Sequence, residues 1–174
     1  LVDSQVDGEE TIWESLAITE YLAEAHATVW PYPKKARAWA RAATAEMHAG
    51  FNAIRNDCPM TVGLRIRLHT QSDGLKKDLN RLAELWQQGL TQFGGPYLAG
   101  HRFTAVDAFF TPVAYRVQTY GLDLPQPCQD YVQRLLALRG MQAWTEAALA
   151  ETFREPAHED EIRELGEWLE DHRT

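Results

Sequence analysis

The feature that most constrains this chain is the spacing of its apolar residues after position 33. Trp39, Ala43, Met47, Phe51, Ile54 and Cys58 recur at intervals of 4, 4, 4, 3 and 4, which is one face of an α-helix and not the alternation of a strand. The period returns over 75–93 with Leu75, Leu79, Leu82, Leu85, Trp86 and Phe93. Further helices are expected over about 105–120, 128–138 and 141–152. A segment of this kind buries its apolar residues only by packing helix on helix. Pro59 ends the first helix, which is expected over 34–57. Residues 60–74 read as a basic, then polar connection. From Glu159 onward, Ile162, Leu165, Trp168 and Leu169 fall on one face with acids opposite, so the tail is expected to be a short amphipathic helix packed back on the bundle.

The first thirty residues follow another rule. "LVDSQVDGEETIW" suits two short strands joined at Asp7-Gly8, a strong hairpin signal. Leu16, Ala17, Ile18, Tyr21 and Leu22 then take helical spacing from Glu14 to about Ala25. "WPYP" (30–33) stops that helix and acts as a linker. The expected division is therefore 1–29, linker 30–33 and an all-helical domain 34–174.

Charge and composition exclude several classes of function. The formal net charge is −8, whereas phosphate recognition needs a basic face, so nucleic acid is not an expected partner. No apolar run reaches 18 residues, and no basic segment precedes an apolar one, so neither a membrane span nor a signal peptide is expected. Cys58 and Cys128 are far apart and share no metal spacing with the six histidines. They read as reduced thiols of a cytoplasmic protein without a metal. The chain begins at Leu1 rather than Met, so an upstream end that is processed or missing is expected.

Two short motifs carry chemistry. Glu14-Ser15 opens a helix directly after the expected hairpin. The first turn of a helix leaves N–H groups without partners and a partial positive charge. A hydroxyl there either caps its own helix or helps to hold an external anion. With a carboxylate beside it, the pair could take both ends of an amino-acid zwitterion: the carboxylate on Ser15 and the helix amides, the ammonium on Glu14. Thr104 and Asp107 in "FTAVDAFF" have capping-box spacing, with Asp replacing the usual Glu, and read as structural. Pro112, inside the following helix, removes a backbone donor and bends it.

Taken together, "ESLAITEYL", the short linker, the long helices and "PYLAGHRFTAVDAFFTPVAYR" resemble the glutathione transferase superfamily over essentially the whole chain. The resemblance implies a mainly α fold: a partial thioredoxin-like β-hairpin and helix followed by an all-helical bundle. Residues 1–29 would be the C-terminal part of the thioredoxin-like, glutathione-binding domain. Glu14 and Ser15 would hold the γ-glutamyl end of glutathione, and Thr104 and Asp107 would cap the central helix of the bundle. The family's opening βαβ unit, with the Ser, Tyr or Cys that activates the thiol, is expected upstream of Leu1. No catalytic residue is therefore assigned, and neither Ser4 nor Ser15 takes that role.

In such proteins the second substrate lies against the first long helix of the helical domain. His48, Phe51 and Arg55 fall at i, i+3 and i+7 on that helix. Arg55 could pair with an anionic group of the second substrate and Phe51 could provide an apolar wall, or the three could be a packed Phe with solvated or ion-paired edges. Tyr115, Tyr120 and Cys58 read as packing. The implied activity is conjugation of glutathione, as substrate, to a small hydrophobic electrophile in detoxification. Homodimerisation through 14–25 and 34–57 is implied too. A non-enzymatic binding protein of the same fold, and a glutathione-dependent peroxidase or reductase, are the alternatives.

Overall fold

The computed structural model describes residues 1–3 and 10–173, so the Asp7-Gly8 turn expected from the sequence lies outside the described residues. The fold is mainly α, with two small sheets of two strands each among the described residues. The chain forms two compact units. One comprises Leu1–Gly50 with Gly89–Phe109, the other Phe51–Gln88 with Phe110–Thr174.

In the first unit, β1 (Val2–Asp3) pairs antiparallel with β2 (Glu10–Thr11), Val2 opposite Thr11 and Asp3 opposite Glu10. Helix α1 follows over Ser15–Ala25. Tyr21 on α1 donates to an Asp3 carboxylate oxygen at 2.7 Å, tying helix to hairpin. Helix α2 (Lys34–Ala49) buries Ala36, Ala40, Ala43, Thr44 and Met47, a face of small side chains that lets neighbours come close. Helix α4 (Asp73–Phe93) contributes its last turn to this unit. A Cβ on Gly89 would lie 2.5 Å from the Trp39 ring and 2.6 Å from the Leu98 carbonyl oxygen. Glycine is therefore required there by the close approach. Trp39 then meets Phe93 with ring centroids 5.5 Å apart.

The single helix expected over 34–57 is two helices. Gly50 leaves the helix in an extended conformation, and Phe51 follows at φ 57. The short α3 then covers Asn52–Asp57 in the second unit. The restart has its own cap: the Asp78 carboxylate, from α4, accepts from the Ala53 and Ile54 amides at 2.9 and 3.2 Å. A left-handed non-glycine residue costs of order 1–3 kcal/mol. It persists here at a side chain that is only 6% exposed.

The connection expected over 60–74 contains a strand. β3 (Leu64–Leu68) reads "LRIRL", with Leu64 and Ile66 buried, a period of two that a purely polar reading passes over. Its partner is at the far end of the chain. Helix α8 (Pro156–Leu165) stops at Gly166, and β4 (Gly166–Asp171) runs antiparallel to β3, with a register shift between Arg65 and Ile66. The tail helix expected from Glu159 is present only as far as Leu165, and Trp168 and Leu169, expected on it, lie on a strand. Trp168 has the Arg163 and Arg173 guanidinium carbons 4.2 and 5.2 Å from its ring centroid, a cation–π arrangement that holds β4 in place.

The remaining helices of the second unit are α5 (Ala105–Tyr120), whose first turn belongs to the other unit, α6 (Gln126–Leu136) and α7 (Arg139–Ala150). Trp86 stands edge-on to Phe110 and Tyr131, with centroids 5.6 and 5.0 Å away. Side chains of α5 fix the segment after α3. Arg116, Tyr120 and Thr119 donate to the carbonyls of Cys58, Pro59 and Thr61, each at 2.8 Å. Tyr115 and Tyr120 are both buried.

Candidate functional site

Helix α1 begins without a side-chain cap among the described residues. Glu14 is the N-cap residue, and its carbonyl accepts the first helical bond from the Ile18 amide at 2.9 Å. Its backbone is at φ 75, ψ 125, a region that non-glycine residues avoid because Cβ collides with the neighbouring peptide. Such an outlier is the kind of local strain that binding sites hold. Ser15 is the first helical residue and is exposed. Its carbonyl accepts from the Thr19 hydroxyl at 2.8 Å. The first turn carries no acid, so its amides and the helix dipole present positive potential beside the Ser15 hydroxyl.

The Glu14 side chain has a partner that its sequence neighbourhood did not foretell. Its Oε2 lies 2.8 Å from Nε2 of His48, in the last turn of α2. Both side chains are partly exposed, 54% and 36%. One carboxylate has about four lone-pair positions, so the contact with His48 leaves Glu14 able to accept from a further donor. The fold thus gathers Glu14, Ser15 and His48. Phe51 is buried behind the break after α2, and Arg55 is exposed in the last turn of α3. Phe51 and Arg55 belong to the second unit. The i, i+3, i+7 register that grouped them with His48 assumed one continuous helix. That premise fails at Gly50.

The Asp107 carboxylate is fully buried. Its Oδ2 accepts from the Thr104 amide at 2.9 Å and from the Thr104 hydroxyl at 3.4 Å, and its Oδ1 accepts from the Leu98 amide at 3.0 Å. The side chain caps α5 and also pins the loop before it. The bond to Leu98 joins residues nine apart, which local spacing does not reveal.

The two thiols sit where sulfur is least reactive. Burial pushes Cys58 up to about 12, with the nearby Asp57 charge adding to the rise and Arg116 opposing it. Burial alone pushes Cys128 up to about 11. A thiol held protonated is a poor nucleophile. Among the described residues no cluster of three or more His, Cys, Asp or Glu side chains could hold a metal ion. No helix among them is long and apolar enough to cross a membrane.

The architecture matches solved structures. A glutathione transferase homolog from Burkholderia gl BGR1, with bound glutathione, superposes with a TM-score of 0.57 at 22% identity, over 80% of this chain and 68% of that one. BphK, a bacterial GST in a ternary complex, superposes with a TM-score of 0.50 at 19% identity, over 82% of this chain and 71% of that one. No family model and no curated protein matches the sequence. At these identities the likeness establishes a shared fold, that of the glutathione transferases.

Proposed function

We propose that this protein is a glutathione transferase-like protein whose Glu14-Ser15 corner holds the γ-glutamyl end of glutathione. The observation that carries the reading is the strained backbone of Glu14 at the start of an uncapped helix. A carboxylate, a hydroxyl and the amides of an uncapped first turn are neighbours in the chain at that point. The zwitterion fits by charge: its carboxylate on the Ser15 hydroxyl and the first-turn amides, its ammonium on Glu14. Glutathione bound to a protein of the same fold supports the assignment. Residues 1–29 would be the glutathione-binding part, 30–33 the linker and 34–174 the helical domain. The chemistry would be attack of the glutathione thiolate on a small electrophile, the protein orienting the tripeptide. Homodimerisation and a cytoplasmic location belong to the same reading. Helix α1 buries none of its residues, as a face awaiting a partner would.

Thiol redox chemistry through this chain's own cysteines is disfavoured, because both are buried and both are pushed upward. Calorimetric titration with glutathione tests the proposal. Ser15→Ala removes a charge-assisted hydrogen bond, generally about 1.5–3 kcal/mol, so affinity should fall roughly 10- to 100-fold with the melting curve unchanged. Equal affinity in the variant removes Ser15 from the site.

A further inference from the structure

The first unit contains a cavity of about 700 Å³ that neither Glu14, Ser15 nor His48 lines. One wall is the linker itself, with Trp30 and Tyr32, and another is Phe93 near the end of α4. The volume is in the range of small-molecule sites. The linker wall is braced from behind: Arg37 donates to the carbonyls of Pro31 and Tyr32 at 3.3 and 2.6 Å. Arg41 lies over the Trp30 ring, 5.5 Å from its centroid. Tyr32 is 90% exposed, an aromatic ring left in water at the rim.

The charge of the lining is one-sided. Lys35, His101 and Arg102 line the cavity, and no Asp or Glu does. Among the described residues, none of these three side chains has a hydrogen bond or ion pair. Aromatic walls and basic groups without partners are complementary to a flat apolar body carrying one negative group.

We propose that this cavity binds a small aromatic carboxylate, with the ring against Trp30, Tyr32 and Phe93 and the carboxylate toward Lys35 and Arg102. The site is separate from the proposed glutathione corner and does not depend on it. Calorimetric titration of the full chain with 2-naphthoate tests it, with 2-naphthylmethylammonium as the probe of opposite charge. The expected result is saturable binding of one naphthoate per chain, weakened several-fold on going from low to high salt because part of the attraction is between partly exposed charges. The ammonium analogue should bind at least tenfold more weakly. The double variant K35E/R102E should lose at least tenfold in naphthoate affinity with an unchanged melting temperature, since both side chains lack partners to lose. Ser15→Ala should bind naphthoate like the parent. Equal affinity for the two probes, unchanged naphthoate affinity in K35E/R102E, or no saturation up to the solubility limit of the probe would overturn the proposal. If the double variant melts lower, K35Q/R102Q replaces it, with the same loss expected.

Discussion

Removing the Asp107 carboxylate should be among the most damaging single changes in the first unit. Asp107→Ala leaves the Leu98 and Thr104 amides, which the carboxylate accepts at 3.0 and 2.9 Å, without that acceptor at a position with no solvent access. Each unsatisfied buried donor costs about 1–3 kcal/mol, so the loss for the two is about 2–6 kcal/mol if no water enters the gap. That exceeds an ordinary lost helix cap, about 1 kcal/mol, because the second bond anchors a loop as well as a helix. With a urea m-value of about 1–3 kcal/mol/M, the midpoint should fall by roughly 1–2 M. Asp107→Asn keeps an acceptor oxygen for one amide and should fall between parent and Ala. The assay is equilibrium urea unfolding followed by circular dichroism and tryptophan fluorescence. An Asp107→Ala curve that overlays the parent would refute the reasoning, and so would an Asn variant less stable than Ala.

Three shorter predictions concern other parts of the molecule. Gly166→Ala should destabilise by about 1–3 kcal/mol, because its Cβ would sit 2.6 Å from the Arg67 carbonyl oxygen and 2.7 Å from the Ile66 side chain. Gly140→Ala, in α7 with nothing within 4 Å of the added Cβ, should instead stabilise by about 0.5–1 kcal/mol; urea melts of the pair read the opposite signs. Cys58 and Cys128 should resist an aromatic disulfide reagent at pH 8 in the folded protein and react at once in denaturant. Cys58 is raised in the fold to about 12, so its contribution to stability is complete below the unfolded thiol's value near 8.5 and is lost as pH rises from there toward 12. Alkaline unfolding should therefore begin at higher pH in Cys58→Ala than in the parent, relative to each protein's stability at pH 7.

What the sequence disclosed follows the range of the interactions involved. The helical period over 75–93 and 105–120 is a local signal, and α4 and α5 occupy those stretches with ends within two residues. The division of 34–57 into two helices is not local. It depends on Asp78, about 25 residues on, supplying a cap for α3, and on burial holding Phe51 in a left-handed conformation. The β3–β4 pair joins Arg67 to Glu167, which also form an ion pair, across a hundred residues. "LRIRL" shows alternation, but one short strand cannot announce a partner so distant. In the candidate site, the adjacency of Glu14 and Ser15 was legible. The Glu14–His48 contact was not, because it joins two helices that the linker separates. Nor was the sign of φ at Glu14, since glutamate gives no hint of a conformation that glycine would take.

That backbone angle yields the sharpest test of the corner. Glu14→Ala and Glu14→Gly both delete the carboxylate and both break the contact with His48, an exposed pair generally worth about 0–1 kcal/mol. They differ in what they ask of the chain at φ 75, ψ 125. Alanine keeps a Cβ that collides there, whereas glycine adopts such angles freely. Against that, glycine gives up about 0.4–1 kcal/mol through the greater freedom of its unfolded chain. A strained residue costs about 1–3 kcal/mol, so Glu14→Gly should be the more stable variant by about 1 kcal/mol. If the carboxylate holds the ammonium of glutathione, the two variants should bind glutathione equally weakly, because they lack the same group. Urea melts separate the backbone term, and calorimetry with glutathione separates the binding term. A glycine variant less stable than the alanine one would mean that Glu14 is not strained. Parental affinity in both would mean that the strained carboxylate serves the Glu14–His48 pair alone, and the glutathione assignment would fall with it.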